Sequence, residues 1–421
     1  MNVVYHLLLL LYWPAANIAS LFNKKARFFV SGRRGNFARL KQELELKRGG
    51  KKIAWFHCAS LGEFEQGKPV IEAFRSQYPE YQVLLTFFSP SGYEHRKNYA
   101  GADYVFYLPM DFRWNAHRFV KLVQPSVVIF VKYEYWYNFL HELKRAGVKT
   151  YIVSAIFRKE QIFFNPFVGY IFRRALRCFN DIFVQDKKSQ ELLSTIGITN
   201  GICAGDTRFD RVAAVAAQPR EVPVLERFAE NKVVLVAGST WPQDNDLLVS
   251  LANKHEDLHV IFVPHEIHES QLISLEKALA GTVIRLSALL GKAGKGQHIE
   301  PFRHVIVDAI GYLSSLYKLA TYTYVGGGFG AGIHNTLEAA VYGKPVFFGA
   351  NYQKFAEAKD LIAQGGAFSV ATAQALDDLY VRMQQDKPVY ETACAASKNY
   401  VQHKVGATST IMQHLQEENF L

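Results

Sequence analysis

The sequence predicts an α/β protein of two Rossmann-like domains facing a cleft, with an apolar helix ahead of them. Three observations carry this prediction. Short β-branched and aromatic runs alternate with longer helical stretches, the pattern of parallel strands joined by crossover helices. The alternation breaks once, around 205–223, and then restarts. The chain has 421 residues, more than one ordinary core accommodates, so two domains of about 200 residues each are expected.

The first element is the apolar one. No charge occurs from Val3 to Phe22, residues 7–11 are all leucine, and the basic residues Lys24, Lys25, Arg27, Arg33, Arg34, Arg39 and Lys41 follow. A secretory signal would place basic residues before the apolar stretch, although Ala15, Ala16 and Ala19 imitate a cleavage site. A spanning helix needs about 20 apolar residues, and Pro14, Asn17 and Ser20 make this one marginal. An anchor that dips into or just spans the bilayer fits best. Tyr12 and Trp13 suit an interface, and the basic cluster suits an anionic cytoplasmic leaflet. The expected division is an anchor over 1–30, a first domain over 31–210 and a second over 211–421.

The first domain reads as strands at 52–58, 81–88, 103–108, 126–131, 151–154 and 181–184, with a helix over 63–75. Residues 205–223 read as a connecting segment. The second domain reads as strands at 233–237, 259–263, 282–286, 304–307, 322–325 and 345–348. Ligands of such sheets bind outside the carboxyl ends of the strands.

Composition narrows the function. Hydrophobic residues make up 49% and charged residues 20%, which is a folded chain and not a disordered one. A net charge of +10 favours anionic partners such as a membrane surface or a phosphorylated substrate. No compact basic tract interleaved with aromatics occurs, so nucleic acid is not expected. Cys58, Cys178, Cys203 and Cys394 are scattered, without a Cys-x-x-Cys pair, which points to reduced thiols and away from zinc or disulfides. GxxxxGK[ST], HExxH and GxSxG motifs are absent, which weighs against NTPase, zinc protease and serine hydrolase chemistry.

Several residues could carry chemistry. Gly326, Gly327 and Gly328 follow a strand, and His334-Asn335 and Leu337-Glu338 then open a helix. Glycines let a backbone approach a phosphate, His and Asn donate hydrogen bonds, and Glu338 can accept them from ribose hydroxyls. A glycine turn beside a capped helix is the simpler alternative, but the combination favours nucleotide binding. Ser239 and Thr240 sit at a strand–helix turn, where hydroxyls cap helices or bind phosphate. His265 ends another strand and is either structural or faces the same ligand. Glu63 starts a helix, where the dipole favours a carboxylate but lowers the basicity that a general base requires. Glu65 could fill the dipole role equally well. Glu134, beside Trp136 and Asn138, suits sugar recognition or an aromatic core corner.

A series of short segments runs along the chain: Ser60-Leu61-Gly62-Glu63, Ser89-Pro90-Ser91-Gly92, Leu108-Pro109-Met110-Asp111, Glu134-Tyr135-Trp136 and Val153-Ser154-Ala155. Then come Gly205-Asp206-Thr207-Arg208-Phe209-Asp210, Gly238-Ser239-Thr240, the glycine loop through Glu338, and Asn351-Tyr352-Gln353-Lys354-Phe355. In order and spacing, the series resembles the 3-deoxy-D-manno-octulosonic acid (Kdo) transferases of lipopolysaccharide synthesis. The resemblance implies an inverting glycosyltransferase of the GT-B type at the cytoplasmic face of a bacterial inner membrane. Its donor would be CMP-Kdo and its acceptor a lipid A precursor (lipid IVA), with no metal or other cofactor. It implies Glu63 as general base. It implies donor contacts at Ser239, Thr240, His265, Gly311, Gly326, Gly327, Gly328, His334, Asn335, Glu338 and Asn351. Acceptor or supporting roles fall to Ser60, Gly62, Ser89, Ser91, Gly92, Glu134 and Ser154. The chain departs from the family pattern at Gly311-Tyr312-Leu313, where Gly-Glu-Leu is frequent, at Pro264-His265-Glu266, where Pro-Arg-His is frequent, and at Tyr137, where proline is common. Two rival readings are another nucleotide-sugar transferase or epimerase of this architecture, and a non-catalytic membrane-bound binding protein. Protein partners are not legible.

Overall fold

Among the described residues, fourteen strands, all paired in parallel, make two seven-stranded sheets, one in each of two units: residues 1–211 with 405–421, and residues 212–404. The computed structural model describes residues 2–294 and 302–418. The first sheet holds β1 (Lys52–Cys58), β2 (Tyr81–Phe87), β3 (Tyr104–Tyr107), β4 (Val127–Val131), β5 (Lys149–Ala155), β6 (Asp181–Val184) and β7 (Gly201–Cys203), in the order β3-β2-β1-β4-β5-β6-β7. The second holds β8 (Val233–Thr240), β9 (Leu258–Pro264), β10 (Val283–Arg285), β11 (His304–Ile306), β12 (Tyr322–Val325), β13 (Val346–Gly349) and β14 (Ala367–Val370), in the order β10-β11-β9-β8-β12-β13-β14. Helices cover both faces of such sheets, so central strands such as Val-Val-Ile-Phe-Val of β4 are apolar and buried throughout.

The strand order reverses between β1 and β4 in the first sheet and between β8 and β12 in the second. These are the topological switch points, where the loops leaving adjacent strands diverge and open a crevice. The α/β class and the two Rossmann-like sheets are as the sequence predicts. Two strands were not expected, β7 and β14, which have three and four residues and lie at sheet edges. The segment 205–223, expected as a connection, contains the helix Thr207–Ala217. Its Val-Ala-Ala-Val-Ala-Ala stretch favours helix over coil.

The expected division also differs at both ends. Residues 405–421 return to the first unit instead of completing the second. The helix Ala407–Glu417 buries Ile411, Met412 and Leu415 in the core formed by Phe56, Phe64 and Phe183, and Asp210 accepts hydrogen bonds from the amides of Gly406 and Thr408, each at 2.6 Å. At the other end, α1 (Asn2–Phe22) is followed by α2 (Lys24–Ser31) and α3 (Asn36–Lys47). The stretch Tyr5–Phe22 is long and apolar enough to cross a membrane by length and composition, with Leu7, Leu8, Leu10, Leu11, Ile18, Leu21 and Phe22 exposed. Yet α1 is no detached segment. Leu9 packs with Phe29, Val30, Met110 and Phe112, and the Tyr5 hydroxyl donates to Asp111 at 2.6 Å. Asp111 is fully buried and also accepts from the amides of Asn138 and Phe139, capping the helix Tyr137–Arg145. One member of the basic cluster is spent on this packing. Arg33 donates to the carbonyls of Phe29, Leu108 and Phe88 and lies over the Phe29 ring at 3.8 Å, and burial lowers its pKa to about 9.

Candidate functional site

Both sets of candidate residues fall at switch points. In the first unit, the loop after β1 leads into α4 (Leu61–Gln77). Ser60 is the N-cap, its hydroxyl accepting from the Gly62 amide at 3.2 Å and donating to the Glu63 carboxylate. The Ser-x-x-Glu spacing of a capping box thus turns Glu63 back over the first turn. Glu63 is half-buried and, among the described residues, forms no ion pair. Glu65, the other candidate for the dipole role, is engaged differently. It pairs with Arg96 at 2.7 Å and Arg211 at 3.1 Å. Burial raises its pKa, but the two arginines outweigh that and leave it lowered. Of the two carboxylates, Glu63 is the one without a cationic partner among the described residues.

The loop after β2 meets the loop after β1, where the Ser89 amide donates to the Ala59 carbonyl at 2.7 Å. Ser89 caps α5 (Pro90–Arg96), and its hydroxyl lies 3.0 Å from that of Ser91. Gly92 has a packing reason, since a Cβ there would stand 2.2 Å from the Phe87 ring. Ser154 is fully buried, and its hydroxyl meets Thr207 at 2.6 Å, which makes it a support for the loops and not an acceptor contact.

Across the switch point, the loop after β4 carries Glu134, which is buried. Its Oε2 lies 2.9 Å from His57 Nε2 and 2.5 Å from Trp136 Nε1, while His57 Nδ1 lies 2.8 Å from the Thr86 hydroxyl, which accepts from Trp55 Nε1 at 2.7 Å. Trp136 Nε1 also lies 3.1 Å from His57 Nε2, and the Thr86 carbonyl lies 3.1 Å from His57 Nδ1. Glu134 is thereby satisfied inside the protein and orients its loop. His57 escaped the sequence reading because it lies inside an apolar strand; a histidine in the run KIAWFHC was the only signal.

In the second unit, the loops after β8, β9, β12 and β13 converge. A Cβ on Gly326 would stand 2.3 Å from the Ser239 carbonyl oxygen and 2.7 Å from Thr240 Cα, and one on Gly328 would stand 2.5 Å from Gly349 Cα. Gly327 takes φ 93°, which favours glycine. Two of the loop amides are already used, Gly326 on the Gly238 carbonyl and Gly327 on Asp244 Oδ2, both at 2.9 Å. The glycines therefore answer backbone crowding at the switch point, and these two amides do not supply the phosphate cradle expected of them. Asp244, buried, also binds the Tyr324 hydroxyl at 2.8 Å.

The side chains around this loop form one surface. His265 stacks on His334 at 4.3 Å and on Trp241 at 4.7 Å, and the Trp241 indole donates to His334 Nε2 at 3.1 Å. Burial, with the neighbouring His265, lowers the His334 pKa to about 4, so it is neutral at physiological pH. With Nε2 accepting from Trp241, its proton lies on Nδ1, and that N–H is the group it can offer a ligand. The Thr240 hydroxyl is buried and, among the described residues, has no hydrogen-bond partner. Ser239 adopts φ 52°, a strained value for a non-glycine residue. Asn335 donates to Glu338 at 3.0 Å and caps the Leu337 amide at 3.2 Å. The helix they open is only Leu337–Ala340, a single turn with little dipole to offer. Asn351 is committed to the loop itself, through Gly328 and Gly330 carbonyls at 2.8 and 2.7 Å. Gly311 is exposed at φ 89°, with open space where a Cβ would stand. Trp241 and Asp244 were not anticipated; the box Trp241-x-x-Asp244 was their sequence signal.

Among the described residues one trio has the spacing of metal ligands, Asp181, His414 and Glu418. Asp181 begins β6, at the amino-terminal end of that strand, whereas the loops above leave the carboxyl ends. His414 pairs with Asp181 at 3.1 Å and Glu418 with Lys149 at 3.1 Å, contacts that hold the C-terminal helix to its sheet.

The profile of the family described as 3-Deoxy-D-manno-octulosonic-acid transferase (kdotransferase) matches residues 32–211. A 3-deoxy-D-manno-octulosonic acid transferase of Chlamydophila psittaci is 26% identical over 339 residues, 76% of this chain and 74% of that protein. Its counterpart in Aquifex aeolicus is 25% identical over 324 residues, 75% of this chain and 81% of that protein. The fold is shared with UDP-GlcNAc 2-epimerase from Neisseria meningitidis (TM-score 0.61, 14% identity, 87% of this chain and 100% of that one). It is also shared with MurG from Acinetobacter baumannii (TM-score 0.53, 13% identity, 87% and 99%), giving the GT-B type of two parallel-sheet α/β domains.

Proposed function

We propose, from the premise that the chain belongs to the 3-deoxy-D-manno-octulosonic acid (Kdo) transferase family, that it transfers Kdo from CMP-Kdo to a lipid A precursor, lipid IVA, during lipopolysaccharide synthesis. The observation that carries the chemistry is Glu63, a carboxylate at the first switch point without a cationic partner among the described residues. In this reading Glu63 removes the proton from an acceptor hydroxyl. The hydroxyl oxygen forms the new bond to the anomeric carbon, the bond from that carbon to the CMP phosphate breaks, and configuration inverts. Ser60 holds the carboxylate in place through its hydroxyl.

The leaving phosphate falls to the second switch point. Thr240 with its orphaned hydroxyl, Ser239, and the Nδ1–H of His334 are the donors this reading assigns to it. Such fixed donors stabilise charge as it develops, without reorganising at the moment of reaction. Trp241 and His265 offer an aromatic face for the base. The role assigns no metal to the phosphate, and running the transfer in chelator tests that point.

The membrane placement rests on α1. One flank is docked through Leu9 and Tyr5, and the opposite leucines are exposed. A helix so docked lies in the interface of the cytoplasmic leaflet, with Lys24, Lys25 and Arg27 toward anionic headgroups. Nucleotide competition separates this reading from a UDP-sugar enzyme. CMP should inhibit and protect the protein in thermal shift, and UDP should do neither; protection by UDP alone would replace the donor.

A further inference from the structure

The first unit contains a cavity of about 920 Å³ that the transfer chemistry does not use. Its wall is mostly apolar: Leu8 and Tyr5 from α1, Tyr135 from the loop after β4, and Ile162, Phe163 and Phe172 from the segment after β5. It lies toward the large end of ligand pockets, which run to about 1,000 Å³. We propose that this cavity takes an acyl chain of the acceptor lipid, so that the enzyme recognises its acceptor partly by its fatty acyl part. The proposal rests on the lipid-acceptor reading above.

Four observations support it. First, Leu8 belongs both to the cavity wall and to the exposed apolar surface of α1, so the cavity is continuous with the surface that meets the membrane. Second, Ile162, Phe167, Val168 and Tyr170 in the segment after β5 are exposed, and Ile162 also lines the cavity. Apolar exposure of this extent marks a contact with lipid or a partner. Third, the Tyr135 hydroxyl is buried and, among the described residues, has no hydrogen-bond partner. Leaving it so costs about 1–3 kcal/mol. The carbonyl that joins an acyl chain to its sugar would accept from it. Fourth, the loop that forms this wall is the loop of Glu134, with Tyr133, Tyr135 and Tyr137 on the cavity and Glu134 turned to His57. The Tyr133 hydroxyl lies within electrostatic reach of both Glu63 and Arg158. An acyl chain seated here would therefore hold its sugar near Glu63. Arg158, exposed at the rim and without an acidic partner among the described residues, suits a phosphate on that sugar, and Glu160 beside it is the one rim carboxylate.

The test compares a tetra-acylated acceptor with its fully deacylated sugar phosphate, using the full-length protein in detergent micelles. Ala175, buried in the cavity wall, is changed to Phe to fill it, and Tyr135→Phe removes the hydroxyl alone. Wild type should prefer the acylated acceptor. Ala175→Phe should cut kcat/KM on that acceptor at least about tenfold, the worth of about two buried methylenes. It should leave the deacylated acceptor within twofold. Tyr135→Phe should raise KM for the acylated acceptor alone. Equal losses on both acceptors, or a wild type indifferent to acylation, would overturn the proposal. Absence of transfer to either acceptor would instead remove the transferase reading. In that case photo-crosslinking of an acyl-labelled acceptor to residues 162–175 still decides the cavity. Labelling competed by acylated acceptor and not by bystander phospholipid supports it, and labelling displaced equally by both overturns it.

Discussion

Gly326 and Gly330 lie four residues apart in one loop and should respond in opposite ways to the same methyl group. At Gly326 an added Cβ would stand 2.3 Å from the Ser239 carbonyl oxygen and 2.7 Å from Thr240 Cα. Both are backbone atoms of β8, so neither can rotate away. At Gly330 the nearest atom would be 3.9 Å away. Overpacking against an unyielding neighbour costs about 1–3 kcal/mol. In a unit of this size that lowers Tm by about 2–4 °C per kcal/mol. Gly330→Ala should be neutral or stabilise by up to about 1 kcal/mol, through the loss of unfolded-state freedom. The assay is thermal unfolding of each variant, with and without CMP. Gly326→Ala should melt several degrees lower and bind CMP more weakly, because the loops after β8 and β12 are forced apart. If Gly326→Ala melts like Gly330→Ala yet loses CMP, the glycine serves the phosphate directly and the crowding argument is wrong.

Three further outcomes follow from buried contacts. Asp111, whose pKa is raised by burial to about 7 against three donors, stabilises the fold as the protonated acid. That contribution is complete below about pH 4 and disappears as pH rises through about 7, a swing of about 4 kcal/mol. The stability gap between wild type and Asp111→Asn should therefore narrow from pH 4.5 to 8 in denaturant melts, and a gap constant with pH would count against it. Tyr5→Phe removes the hydroxyl that ties α1 to Asp111, and protease digestion should cut α1 from the first unit faster; unchanged protection would mean that Leu9 alone holds the helix. Ile411→Ala should cost about 2–5 kcal/mol, and it should do so in the unfolding of the first unit, although the residue follows the second in sequence.

Much of this architecture is written locally. Runs such as Val-Val-Ile-Phe-Val declare themselves because a strand buried on both faces must be apolar at every position. Ser60 and Glu63 are legible because capping has a fixed spacing of three. The triplet of the glycine loop pointed to phosphate, and the structure adds a packing reason that the sequence did not show: Gly326 and Gly328 let three strand ends approach. The return of residues 405–421 was illegible, since Ile411, Met412 and Leu415 show an apolar face but not which core receives it. Long-range polar pairs were equally hidden. Tyr5 and Asp111 are separated by 106 positions and His57 and Glu134 by 77, and no local periodicity links them. The same holds for Arg33, read as a surface cation until three carbonyls and an aromatic ring surround it.

The central claim is that Glu63 is the base of a Kdo transfer. Wild type and Glu63→Gln should be compared for transfer from CMP-Kdo to tetra-acylated lipid A precursor in chelator, with CMP binding measured on the same samples. The account predicts transfer by wild type, and for Glu63→Gln a kcat lower by about 10²–10⁴-fold, the usual contribution of general base catalysis, with CMP affinity unchanged. Transfer by Glu63→Gln at the wild-type rate would contradict it.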